Sequence, residues 1–255
     1  MRLKFIILFC CAVLATGQDW CNISWCPPNS HIGCNHDGNF HGSCRNPVAV
    51  TFTPAQIQSI LHRHNTLRSL TALGHTLGRD GNLPPGVRMA QLRWDASLAH
   101  FANLNTRQCQ MRHDTCRNTD AFNFSGQNLA MLFTSGTINI DTFIVNMIDL
   151  WFDERQLATA ADIPSFNSGR LSEIGHFTAL VNERQTHIGC AMSMFDFDSG
   201  GTTWRAGLLA CNYAFTNVIN WPVYRIGAVG SECVLGTDAS YPGLCTLNEP
   251  INANP

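Results

Sequence analysis

The chain has 255 residues, 45% of them hydrophobic and only 13% charged, with a formal net charge of −2 and twelve cysteines. That length can bury a sizeable core as one large domain with a small appendage. Lys4 is the only lysine and there is no basic run, which excludes nucleic acid as the expected partner.

Residues 1–17 read as a secretory leader. Arg2 and Lys4 supply a positive start, Phe5 to Leu14 an apolar run, and Ala15-Thr16-Gly17 a small-x-small cleavage site. A run of about ten apolar residues falls short of the roughly 20 needed to cross a bilayer, and no later stretch is longer, so no membrane span is expected. Cys10 and Cys11 leave with the leader, and an even number of cysteines in an exported chain argues for disulfides. Asn22-Ile23-Ser24 and Asn123-Phe124-Ser125 are sequons that make Asn22 and Asn123 candidate glycan acceptors in the same compartment.

Residues 18–50 carry four cysteines and almost no periodicity, and read as an irregular segment tethered by bridges. Thr53-Pro54-Ala55-Gln56 predicts a helix start with a capping box and proline in the first turn, followed by Ile57, Ile60, Leu61 and Leu67 at helical spacing. Gly74 to Gly86 reads as a loop. Asp95 is the expected cap of a second helix towards Cys109. A third runs from about Asp141, with Ile144, Met147, Ile148 and Trp151 as its buried stripe and Glu154 one turn further on. Gly175 to Val181 is a strand candidate without a clean period. His187 to Phe195 alternates, placing Ile188, Cys190, Met192 and Met194 on one face, and Trp204 to Tyr213 is a second strand. Asp198-Ser199-Gly200-Gly201 reads as the hairpin tip between them. Counting outward from that tip sets Cys190 opposite Cys211, where a cross-strand bridge is plausible; spacing pairs no other cysteines. Helices first and strands later predict an α+β fold with helices on an antiparallel sheet.

Four motifs now carry a resemblance. Gly175-His176-Phe177-Thr178-Ala179-Leu180-Val181 and Leu208-Leu209-Ala210-Cys211-Asn212-Tyr213 resemble the two signatures of the superfamily of cysteine-rich secretory proteins, antigen 5 and plant pathogenesis-related proteins. His64-Asn65-x-x-Arg68 and Gly126-Gln127-Asn128-Leu129 resemble two more. Cys109-x-x-x-His113-Asp114-x-Cys116-Arg117 and Asn220-Trp221-Pro222 are similar to insect antigen 5. The likeness spans nearly the whole mature chain. It departs at Asn182, where the family has tryptophan, and at Phe215, where proline is common; both are expected at strand ends.

The resemblance implies a disulfide-stapled three-layer α-β-α sandwich with an antiparallel sheet. Its domain would span 51–222, followed by a C-terminal extension, 223–255, with a small disulfide loop. It implies bridges Cys21–Cys34, Cys26–Cys116, Cys44–Cys109 and Cys190–Cys211, which leaves Cys233 for Cys245. It also implies a central cleft in which His113, Glu154 and His176 face one another. Gln127 stands there in place of the usual glutamate and would act from behind the first ring of ligands. Such imidazoles and a carboxylate suit zinc or copper, but no cofactor is required. With one acid lost, metal affinity is expected to be weak, and a Gln127→Glu change is expected to tighten it.

No Gly-x-Ser-x-Gly elbow, P-loop or His-Glu-x-x-His is present. Asp196 and Asp198 read as a solvated loop, not a calcium site, and His62, His64 and Arg68 as structural. The resemblance therefore implies a secreted, extracellular, non-enzymatic binding protein of saliva or venom, acting on a host protein or small ligand through loops such as Arg79-Asp80 and Asp196 to Asp198. The first alternative is a sterol or fatty-acid carrier with Ile57, Ile60, Met147 and Trp151 lining a groove. The second is a metal-dependent redox or hydrolytic enzyme.

Overall fold

The computed structural model describes residues 18–255, and the expected leader lies outside them. From residue 18 to Cys44 the chain runs mainly in turns. It then enters β1 (Arg45–Val50), so the segment expected to be irregular contributes an edge strand of the sheet. Pro47 and a bulge between Arg45 and Val48 break the alternation that would have revealed it.

Helix α1 (Pro54–Ala72) begins as its sequence dictates: the Thr53 hydroxyl accepts from the Gln56 amide (3.2 Å), and the Gln56 side chain accepts from the Thr53 amide (2.9 Å). The expected Gly74–Gly86 loop holds a minimal hairpin, β2 (Leu77–Gly78) and β3 (Gly81–Asn82), too short to leave a periodic signal. Next come β4 (Met89–Ala90) and β5 (Arg93–Trp94). Helix α2 (Ala96–Thr106) is capped by Asp95, which accepts from the Leu98 amide (2.7 Å). Strand β6 (Gly126–Thr134) leads to α3 (Ile140–Asp153), capped by Asn139.

The stretch Gly175–Val181, a strand candidate by sequence, belongs instead to helix α4 (Leu171–Val181). Ile174, Phe177 and Leu180 follow helical spacing, but Gly175, Thr178 and Ala179 between them and Val181 after them are buried as well. A helix covered nearly all round shows no stripe. Asn182 accordingly ends a helix, not a strand.

Strands β7 (His187–Ser199) and β8 (Thr202–Tyr213) form a continuous antiparallel hairpin in which Cys190 is paired with Cys211. Gly200 and Gly201 both take positive φ (59° and 76°), the conformation a two-residue turn of this hand needs. The sheet order is β1-β7-β8-β6, all antiparallel, with β5 added in parallel beside β7. Ile188, Cys190 and Met192 enter the main core with α1, α3 and α4. On the other face Ala191 packs with Ala210, Leu129 and Ala102 of α2. This is the three-layer α-β-α sandwich. Gly189 sets the closeness of α2, because a Cβ there would lie 2.1 Å from the Ala99 amide nitrogen.

Five disulfides join Cys21–Cys34, Cys26–Cys116, Cys44–Cys109, Cys190–Cys211 and Cys233–Cys245. The second and third close loops of 90 and 65 residues and tie the N-terminal turns to the end of α2 and the segment after it. In the C-terminal extension β9 (Leu244–Cys245) runs parallel to β4, and buried Glu249 accepts from Arg88 and from the amides of Val234 and Leu235. Asn22 and Ser24 are exposed, whereas Asn123 is half-buried and Ser125 buried. No helix among the described residues is long and apolar enough to cross a membrane.

Candidate functional site

A cleft of about 660 Å³ opens beside the first turns of α4, lined by His113, Arg117, Gln127, Ser172, His176 and Asn217, among others. His113 comes from the loop after α2, Gln127 from β6 and His176 from α4. Glu154 follows the last residue of α3 and reaches α4 from beneath.

Each histidine is held through Nδ1. The His113 Nδ1 lies 2.7 Å from Gln127 Oε1. The Gln127 amide nitrogen donates to Asp114 Oδ2 (2.9 Å) and Asn212 Oδ1 (2.9 Å), while Asn212 itself donates to the Leu98 carbonyl. With both amide hydrogens so placed, Gln127 Oε1 must accept, so His113 carries its proton on Nδ1 and keeps the Nε2 lone pair free. Burial lowers the His113 pKa below its ordinary value, which keeps the ring neutral at neutral pH.

Glu154 is spent differently. Its Oε1 lies 2.5 Å from His176 Nδ1, and its Oε2 accepts from the backbone amides of His176 (2.8 Å) and Phe177 (3.0 Å). The carboxylate thus orients the imidazole and anchors α4. Asn128 and Asn217 complete the clamp by donating to the carbonyls of His176 and Gly175.

The family resemblance implied a metal set of His113, Glu154 and His176, and the donors do not fit it. Among the described residues no group of three or more His, Cys, Asp or Glu side chains is placed to hold a metal ion. Two imidazoles remain, fewer than a zinc site takes from protein. The structure also reverses the expectation for Gln127→Glu. That change would set a carboxylate against Asp114 and the Asn212 carbonyl oxygen and lose both donated bonds. In calorimetric zinc titration the wild type should show at most one weak site, lost in His176→Ala. Gln127→Glu should lose thermal stability at neutral pH without gaining affinity; a tenfold tightening would show that Asp114 does not oppose the new acid.

Asp114, Arg117, Asn212 and Asn217 went unassigned from the sequence. Three carried a signal: Asp114 and Arg117 share a recognised motif with His113, and Asn212 adjoins Cys211 in another. Arg117 is bound to Asp114 and to the Ser125 carbonyl at the cleft wall. Asp196 and Asp198, beside the hairpin tip, are tied to Asn46, Arg205, Arg45 and Thr203. Arg79 and Asp80 pair with each other at the exposed β2–β3 turn. The groove expected along Ile57, Ile60, Met147 and Trp151 is absent: the last three are core residues, and Ile57 faces a shallow pocket with Val50 and Trp94. A different groove, of about 680 Å³, lies between α1 and α3, lined by Leu67, Leu70, Leu73 and Phe152 together with Arg63 and Arg155.

Comparison with known proteins agrees with the geometry. The model of the cysteine-rich secretory protein family matches residues 61–213. Venom allergen-1 of Aedes aegypti is 34% identical, covering 99% of this chain and 98% of that protein. Antigen 5 like allergen Cul n 1 of Culicoides nubeculosus is 39% identical over 75% of this chain and 90% of its own length. The solved structure of NaASP2 with Zn2+ superposes with a TM-score of 0.63 at 23% identity, covering 76% of this chain and 96% of that one.

Proposed function

This chain belongs to the cysteine-rich secretory protein family, and from that premise we propose that it is a non-enzymatic binding effector of saliva or venom. The observation that carries the reading is the commitment of the cleft's acid. Glu154 is consumed in holding His176 and α4, and Gln127 cannot take a proton. A general base would need a free carboxylate or an imidazole aimed at a nucleophile. Among the described residues neither histidine makes a hydrogen bond to a serine or threonine hydroxyl, so neither is paired with a side-chain nucleophile. What remains is a cross-linked frame that presents loops, a form suited to recognition. Two of its relatives are named as allergens, one of them as a venom allergen, which supports action on a host.

The test separates a binder from an enzyme. A host plasma protein captured by the immobilised chain should bind His113→Ala/His176→Ala with a Kd within about threefold of wild type. Changes at Arg79 and Asp80 should weaken it more. Turnover of any substrate that vanishes with the two histidines, while the fold is kept, would overturn the reading. A second reading, carriage of a sterol or fatty acid, is favoured by the leucine and phenylalanine walls of the α1–α3 groove; its two arginines are already paired with Asp149 and Asp153, so an uncharged apolar ligand fits it better than a carboxylate. A stoichiometric lipid extracted from the purified protein would establish it.

A further inference from the structure

The two edges of the main sheet are built differently. Strand β1 carries Arg45, Pro47 and a bulge, the devices by which natural edges avoid pairing with another chain. Strand β6 has none of them. Its nine residues contain no charge and no proline, and its register with β8 is unbroken from Gly126 opposite Tyr213 to Thr134 opposite Arg205.

Which backbone groups lie on the free side follows from Trp151. Its indole donates to the Leu129 carbonyl (2.9 Å), so Leu129 presents its polar groups away from β8. Alternation along the strand then places the amides and carbonyls of Met131 and Phe133 on the same free edge. Among the described residues neither makes a hydrogen bond to a loop or another element. The N-terminal half of β6 is buried, whereas Met131 to Thr134 are partly open and Phe133 is 52% exposed. On the same sheet face, Phe133 stands edge-on to Phe197 and Trp204. This aromatic patch lies past the end of α2.

We infer that the open half of β6 is a self-association surface, on which a second copy of this chain pairs antiparallel about a two-fold axis at Leu132. Met131 and Phe133 are symmetric about that residue. Each amide and carbonyl they present would meet its counterpart, making four hydrogen bonds across the axis. On the α2 side of the sheet, Phe133 of one copy would face Met131 of the other, a cross-strand apolar pair. The isologous geometry closes at two copies and leaves no further free edge of this kind. No charge on the strand opposes the approach, and the contact is independent of the cleft and its histidines.

Sedimentation equilibrium of the whole secreted chain over a concentration series tests this. The apparent mass should rise towards twice that of the monomer. Phe133→Asp should hold it at the monomer value with an unchanged far-ultraviolet circular dichroism spectrum. Val48→Asp, on the exposed β1 edge, should leave association intact. Leu132→Cys fixes the register: its two new thiols would face each other across the axis, as Cys190 and Cys211 do within the sheet, and mild oxidation should give a covalent dimer. A wild-type mass that stays monomeric throughout, or a dimer that persists in Phe133→Asp, overturns the inference.

Discussion

Replacing Arg68 by methionine should cost about 3–5 kcal/mol, read as a fall in the urea midpoint of the disulfide-intact protein. Arg68 is completely buried and faces no carboxylate. Its guanidinium instead spans four backbone carbonyls: Ala90, Leu180, Asn182 and Gln185, at 2.7 to 3.3 Å. Those oxygens belong to α4, the turn after it and β4, so a single side chain on α1 joins three parts of the chain that share no ladder. Burial pushes its pKa down to about 9, which still leaves it charged at neutral pH. Methionine matches the stem but not the fork, and each buried carbonyl left without a donor costs about 1–3 kcal/mol. Lysine should recover only part of the loss, since one compact ammonium cannot reach four acceptors in a plane. A loss under about 1 kcal/mol for Arg68→Met would mean that water replaces the guanidinium and that the carbonyls were never dependent on it.

Arg68 also marks what could be read from the sequence. Spacing put His64 and Arg68 on one helix face, and the family resemblance implied that the motif is structural. The acceptors of Arg68 lie 22 to 117 positions away, and no spacing rule connects them. Local chemistry was legible where the physics is local: the Thr53 capping box, the Asp95 cap, and the Gly200-Gly201 turn that aligns Cys190 with Cys211. Helix α4 was not, because burial on nearly every side erases the period that identifies a helix. Strand β1 was hidden by the proline and bulge that make it a safe edge. At the cleft, residue types could be carried over from the family, but not how each atom is used. Whether Glu154 faces a metal or the amides of α4 depends on how α3 meets α4, which only the fold decides.

Acidification should remove on the order of 3 kcal/mol of stability between pH 6.5 and about 4 through His64 alone. In the unfolded chain this imidazole titrates at its ordinary 6.5; in the fold, burial pushes it down to about 4. Between those values the unfolded state binds a proton that the folded state refuses, so stability falls as pH falls. Above 6.5 both states are neutral and the effect is absent. The hydrogen bonds explain the refusal. Nδ1 lies 2.8 Å from the Ile60 carbonyl and must donate to it, so Nε2 is left to accept from the Tyr213 hydroxyl at 3.0 Å. That hydroxyl accepts in turn from Asn128, whose amide also donates to the His176 carbonyl. A proton on His64 Nε2 would face the Tyr213 hydrogen and break a relay that ends on α4 beneath the cleft. His31, His36, His113 and His187 are also shifted downward, chiefly by burial, and add slope of the same sign. His64→Gln should therefore flatten most, but not all, of the fall, though it starts from a lower stability at pH 7. Urea midpoints at closely spaced pH values decide the matter. A wild-type curve that is level from pH 7 to 4.5, or a His64→Gln curve as steep as the wild type, would show that this buried imidazole is not what the acid attacks.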